Sequence, residues 1–167
     1  YQPVGTDSHP LTLPIDGQGW EISIDLQNNS QLIAGKYSGV VGYTQSGISN
    51  LRVVTIPGNS STAGYSIESS GATYAGVLAG RVDGDMLNCS VELVKTTVIN
   101  TNTSATNAMY IGGLVGYCNG NILNSAVYEG SSAASASVIS FSKASAGSGI
   151  GGLAGGVASG KTVGNCY

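Results

Sequence analysis

The chain has 167 residues, a formal net charge of −3 and charged side chains at only 9% of positions, where an ordinary globular domain carries about 25%. Its six basic residues are scattered, which excludes a nucleic-acid footprint, and no apolar run reaches the roughly 18 residues of a membrane span. Glycine at 26 positions, with one Phe and one Trp against nine Tyr, rules out a thick core of large side chains and favours thin layers of small and β-branched residues.

Residues 1–36 read as a lead-in within a single domain. It starts at Tyr1, which is read either as the product of a removed signal peptide or as the start of an excised domain. Pro3, Pro10 and Pro14 exclude a long helix, and Asp16-Gly17-Gln18-Gly19 reads as a turn. Residues 20–26, WEISIDL, alternate as a half-buried strand does, with Trp20, Ile22, Ile24 and Leu26 on one face.

Residues 37–167 hold four copies of one pattern. Residues 38–53 read SGVVGYTQSGISNLRV, 76–91 GVLAGRVDGDMLNCSV, 111–127 IGGLVGYCNGNILNSAV and 151–166 GGLAGGVASGKTVGNC. The anchoring glycines are Gly42, Gly80, Gly116 and Gly155, so the steps are 38, 36 and 39 residues. An asparagine follows at a fixed offset in three copies, Asn50, Asn88 and Asn124, and two residues later in the fourth, Asn165. Self-similarity at this period signals a solenoid. Val40, Leu78, Leu114 and Leu153 form one apolar column, and Ile48, Met86, Ile122 and Val163 another. Period-two parity puts both columns inward, gives the anchoring glycines the role of a tight bend, and leaves Tyr43, Arg81, Tyr117 and Gly156 facing solvent.

The same parity carries the four asparagines onto the core face, where an unpaired amide costs a few kcal/mol. Layers about 4.8 Å apart let each amide bond the next, so Asn50, Asn88, Asn124 and Asn165 are predicted to form a structural ladder. Between copies, residues 65–68 and 138–141 alternate as short strands. Two strands in the motif and one between motifs predict an all-β fold, a parallel β-helix of three strands per coil and about four to five coils.

The pattern GGLVG…G.I.N at 112–124 and its three relatives resembles the GLUG motif, and the segments PVGTDSHP and IDGQGWEI are similar to those that precede such repeats. The resemblance covers most of the chain. It implies a cell-surface or secreted protein of adhesin-like or stalk type, and brings no catalytic residues. Gly76-Val77 departs from the GG pair, and Asn165 is displaced by the insertion. Sequons at Asn28, Asn59, Asn88 and Asn102 are candidate N-glycosylation sites and agree with an extracellular location.

Catalytic chemistry finds little footing. Asp7-Ser8-His9 holds the letters of a triad, but a relay is spatial, and the single histidine cannot supply a two-histidine metal motif. Asp83-Gly84-Asp85 could face calcium, yet its place matches turns in the other copies. The acidic residues are dispersed where a glycan-cleaving enzyme needs carboxylates gathered on one face. The expectation is a non-enzyme without cofactor or metal. Cys89 and Cys166 hold equivalent positions two coils apart, about 9.6 Å and beyond disulfide reach, and Cys118 lies on the other strand, so the expected role is as buried small hydrophobes, with pairing between molecules the alternative for Cys166. Tyr43 and Tyr117 are the candidate contacts, either for sugar rings or for a neighbouring molecule. The last copy stops at Tyr167 without a third strand, which reads either as a cut from a longer solenoid or as an end that a second molecule completes. The expected function is the self-stacking subunit of a surface or secreted filament, with a glycan- or host-binding adhesin module as the alternative.

Overall fold

A computed structural model of the chain describes residues 2–25, 33–34, 36–56, 65–68, 73–94, 96–100, 108–130, 138–141 and 145–167. Leu26 and the sequons at Asn28, Asn59 and Asn102 lie outside them. The chain winds as a parallel β-helix. In the first coil Val4 and Leu11 bridge to Val41 and Thr44, and strands β1 (Ile15–Asp16) and β2 (Glu21–Asp25) follow. Strand β3 (Ile33–Ala34) then pairs back, antiparallel, on the start of the second coil. That coil holds β4 (Tyr37–Ser38), β5 (Val41–Thr44), β6 (Ile48–Ser49), β7 (Arg52–Ile56) and β8 (Tyr65–Glu68). The third holds β9 (Tyr74–Gly76), β10 (Ala79–Val82), β11 (Met86–Leu87), β12 (Ser90–Leu93) and β13 (Thr96–Asn100). The fourth holds β14 (Tyr110–Gly112), β15 (Val115–Cys118), β16 (Ile122–Leu123), β17 (Ala126–Glu129) and β18 (Val138–Phe141). The fifth holds β19 (Gly149–Gly151), β20 (Ala154–Val157) and β21 (Val163–Gly164).

Equivalent strands stack into five sheets: I (β19-β14-β9-β4-β3), II (β20-β15-β10-β5), III (β1-β6-β11-β16-β21), IV (β17-β12-β7-β2) and V (β18-β13-β8). Apart from the β3–β4 pair, the strands pair in parallel, in the register the repeats demand: Met86 lies between Ile48 and Ile122, and Arg81 between Tyr43 and Tyr117. The inner coils therefore carry five strands where the pattern predicted three. A two-residue bend, at 77–78 in the third coil, divides the predicted first strand, and the asparagine after β11 divides the second. No helix is long and apolar enough to cross a membrane among the described residues.

Both predicted inward columns are sealed in the inner coils. Val40, Leu78 and Leu114 are buried, as are Ile48, Met86 and Ile122. Each column opens at the last coil, where Leu153 is partly covered and Val163 exposed. The lead-in departs in the same way. Ile24 reaches the core, but Ile22 and Trp20, predicted on the buried face, are exposed, because β2 is the outermost strand of sheet IV.

The anchoring glycines have a different role from the expected bend. None of them is among the residues with positive φ. A Cβ on Gly80 would lie 2.7 Å from the Gly42 carbonyl oxygen and 3.0 Å from Tyr37 Cβ. One on Gly116 would lie 2.5 Å from the Ala75 nitrogen, and one on Gly155 2.3 Å from that of Ile111. Sheet II thus presses its glycine column onto the backbone of sheet I, with no room for a side chain. Gly116→Ala is expected to cost about 3 kcal/mol, the upper end of overpacking penalties. Gly152→Ala, at a position where a Cβ meets nothing within 4 Å, should stay within about 0.5 kcal/mol of the parent. Urea unfolding midpoints of the two variants check this contrast.

Candidate functional site

The row of asparagines forms one corner of the coil. Asn50, Asn88, Asn124 and Asn165 have φ of 54°, 54°, 51° and 53°, each just after its sheet III strand. Asparagine tolerates this left-handed conformation better than other residues with a side chain. The left-handed step breaks the period of two, which corrects the predicted core placement. Asn50 is half-buried and the other three are exposed, while the following residues, Leu51, Cys89 and Ser125, turn into the core. The amides lie over one another at the surface. Asn88 Nδ2 donates to Asn50 Oδ1 at 3.0 Å, and Asn165 Nδ2 to Asn124 Oδ1 at 3.2 Å. Asn50 Nδ2 donates to Asp16 Oδ1 at 3.0 Å, an acceptor on the first coil that the repeat pattern did not reveal. Asn88, the one sequon among the described residues, already uses the nitrogen a glycan would take.

The tyrosines form a second row, along sheets I and II. The rings of Tyr37, Tyr74 and Tyr110 stack with centroids 5.5 and 5.7 Å apart. Tyr43 stacks on Tyr37 at 5.3 Å, and Tyr117 meets Tyr110 edge-on at 5.0 Å. Arg81, level with Tyr43 and Tyr117 in the register, lies over the rings of Tyr43 and Tyr74. The solvent-facing reading of this position is therefore corrected. Tyr43 is only 8% exposed, and Tyr117 and Arg81 are half-buried. Parity failed because the tyrosines of sheet I close over those of sheet II. The Tyr43 hydroxyl donates to Asp83 Oδ2 at 2.7 Å, and burial with this carboxylate pushes its pKa up. Arg81 Nε donates to Asp83 Oδ1 at 2.8 Å. In the last coil Gly149 and Gly156 stand level with Tyr110 and Tyr117. A shallow depression beside the row is lined by Lys36, Thr73, Tyr74, Ala108 and Tyr110.

The remaining candidates are drawn into the framework. Asp7 does not face His9 in a relay: it accepts from the buried Tyr37 hydroxyl and pairs with Lys36, while His9 Nδ1 contacts Ser8 Oγ at 3.0 Å. Asp83 is held by Tyr43 and Arg81, and Asp85 Oδ1 accepts from both the backbone and the side-chain nitrogen of Asn121. Among the described residues no three His, Cys, Asp or Glu side chains gather as a metal site would need. Arg52 bridges Glu21 at 2.7 Å and Glu92 at 2.5 Å. That link was hidden in the sequence, because residues 17–20 loop out before Glu21 falls into register with Arg52. Cys89, Cys118 and Cys166 are free thiols. Burial raises the pKa of Cys89 and pushes that of Cys118 up to about 11, so both stay protonated and inert at neutral pH.

No family model, curated protein or solved structure matches the chain.

Two measurements probe these rows. If the asparagines serve first as left-handed corners, Asn124→Gly should be nearly neutral, and Asn124→Ala should cost about 1–2 kcal/mol in urea unfolding. Equal losses in both variants would make the amide bond the larger contribution. The second measurement concerns acid. Partial burial works upward on Asp7, but the bonds from Lys36 and Tyr37 outweigh it; the Asn50 amide and the Gln18 N–H lower Asp16. Both folded pKa values lie below the ordinary 3.8. Their stabilisation is complete at neutral pH and is lost as pH falls through those lowered values. The melting temperature should fall below about pH 4, and Asp7→Asn should reduce that fall.

Proposed function

We propose that this chain is a non-catalytic structural solenoid of the cell exterior, the self-stacking subunit of a surface or secreted filament. One observation carries the reading: columns that are sealed inside the stack lie open on both outer layers. Ile122 is 0% exposed and its neighbour in the same column, Val163, 49%; on the first coil Val4 is 50% and Trp20 75% exposed. Isolated apolar residues on a surface need no explanation, but a row that continues a buried column marks a contact. The GLUG-like pattern and the sparse, uncharged surface support the cell exterior. The engagement of Asp7, Asp83, Asp85, Glu21 and Glu92 in turns and ion pairs supports a framework role.

Sedimentation velocity and electron microscopy of the chain over a wide concentration range test the proposal. Rods that lengthen with concentration are expected. Monodisperse single copies throughout would overturn it. The depression lined by Lys36, Tyr74 and Tyr110 favours the adhesin as a second reading, and a glycan array on which nothing binds would remove it.

A further inference from the structure

The inner coils dictate how two copies of the chain can meet. Residues of one column are joined by a repeated bond. The Arg52 N–H donates to the Trp20 carbonyl, Ser90 to Leu51, Ala126 to Cys89 and Tyr167 to Ser125, at 3.3, 3.0, 2.9 and 3.3 Å. Trp20, Leu51, Cys89, Ser125 and Cys166 therefore stand one above another. Leu51, Cys89 and Ser125 are buried, whereas Trp20 is exposed and Cys166 half-covered. Sheet III repeats the arrangement: Ile15 and Val163 are the outer members of the column whose inner members are Ile48, Met86 and Ile122. Sheet II does so again, from Val4 through Val41, Ala79 and Val115 to Ala154. In all three columns the outer members are apolar or small on both faces. A covering layer in register finds an apolar partner in each.

We infer that the occupant of the last layer is the first layer of a second copy, seated so that Val4, Ile15 and Trp20 of one chain cover Ala154, Val163 and Cys166 of the other. The inference rests on the self-stacking reading and names its register. Sheets IV and V end at β17 and β18 on this side among the described residues. Sheet I reaches this face at β19, but there the covering copy presents the reversed strand β3, so the in-register joint is carried by sheets II and III and by the Trp20 column. In this seating the Glu21 N–H of the covering copy meets the Cys166 carbonyl, repeating the bond made inside the chain.

The native thiol of Cys166 supplies the test. Stacked residues lie about 4.8 Å apart, within the roughly 4.4–6.8 Å Cα separation of a disulfide. Within one chain positions 20 and 166 are four layers apart, about 19 Å, so a bond between them can form only between copies. Trp20→Cys under mild oxidation should give a covalent ladder on non-reducing gels that Cys166→Ser abolishes. Leu13→Cys, equally exposed but outside these columns, should cross-link several-fold less. If Trp20→Cys still sediments as oligomers but cross-links no better than Leu13→Cys, the register is wrong while self-stacking stands. If the parent chain sediments as single copies at every concentration, self-stacking itself fails and the register with it. Should loss of the indole weaken association, Ile15→Cys combined with Val163→Cys asks the same question of sheet III, and a pair that associates without cross-linking overturns the register.

Discussion

The structure depends on vertical register. In a parallel stack each layer gives its backbone N–H groups to the carbonyls of the next, so a residue's environment is set by the equivalent residue one coil away more than by its chain neighbours. Ile48, Met86 and Ile122 share a column although 36 to 38 residues separate them. A shift of one residue in any coil would turn a buried column onto the surface. Corners must therefore recur at the same place in every coil. The left-handed asparagines do this at one corner, and the glycines that let sheet II lie against sheet I keep a second one tight.

These two devices explain the composition. Where sheets meet backbone to backbone, a methyl group is already too large, so Gly80, Gly116 and Gly155 admit no substitute. In the main core the layer spacing of about 4.8 Å lets identical side chains pack on their own copies, and medium-sized residues such as Val, Ile, Leu and Met fill it. Burying one such side chain contributes about 1.5–3 kcal/mol relative to leaving it exposed. A column three members deep then outweighs the surface ion pairs, which contribute about 0–1 kcal/mol each. That balance accounts for a stable fold with charges at 9% of positions. The few charges present link neighbouring coils, as Arg52 does between Glu21 and Glu92.

What could be read from the letters was whatever repeats. The glycine spacing located the layers, and the Val/Leu and Ile/Met columns located the core. The asparagine offset located the amide row, though not the corner it makes, and included the fourth copy, where the two extra residues make a turn closed by the Lys161 N–H on the Ala158 carbonyl. What could not be read was whatever breaks parity. A left-handed residue reverses which side chains face in, so counting by twos across Asn88 put the amide in the core, where Cys89 is the residue that turns inward. Tyr43 was misplaced for a related reason. Its burial comes from Tyr37 and Arg81, which lie on another strand and another coil. Asp16 and Glu21 belong to the unrepeated lead-in, and only the folded register shows which residues they meet.

The two faces of the stack differ in how their edges are treated, and this bears on any self-association. On the first-coil side the two-residue β3 runs antiparallel along β4 and is itself the edge of sheet I, a very short strand of the kind that limits edge pairing. Sheets II, III and IV carry no such reversed strand on that side among the described residues. On the opposite side β19, β20 and β21 are all parallel edges. β3 shows that the edge of a parallel sheet takes a strand of either direction, so backbone hydrogen bonding alone does not orient a copy approaching β20 and β21. In the proposed stack, head-to-tail orientation therefore rests on the side-chain columns. Those columns would also set which residues lie over which, in the same way as they do within the chain.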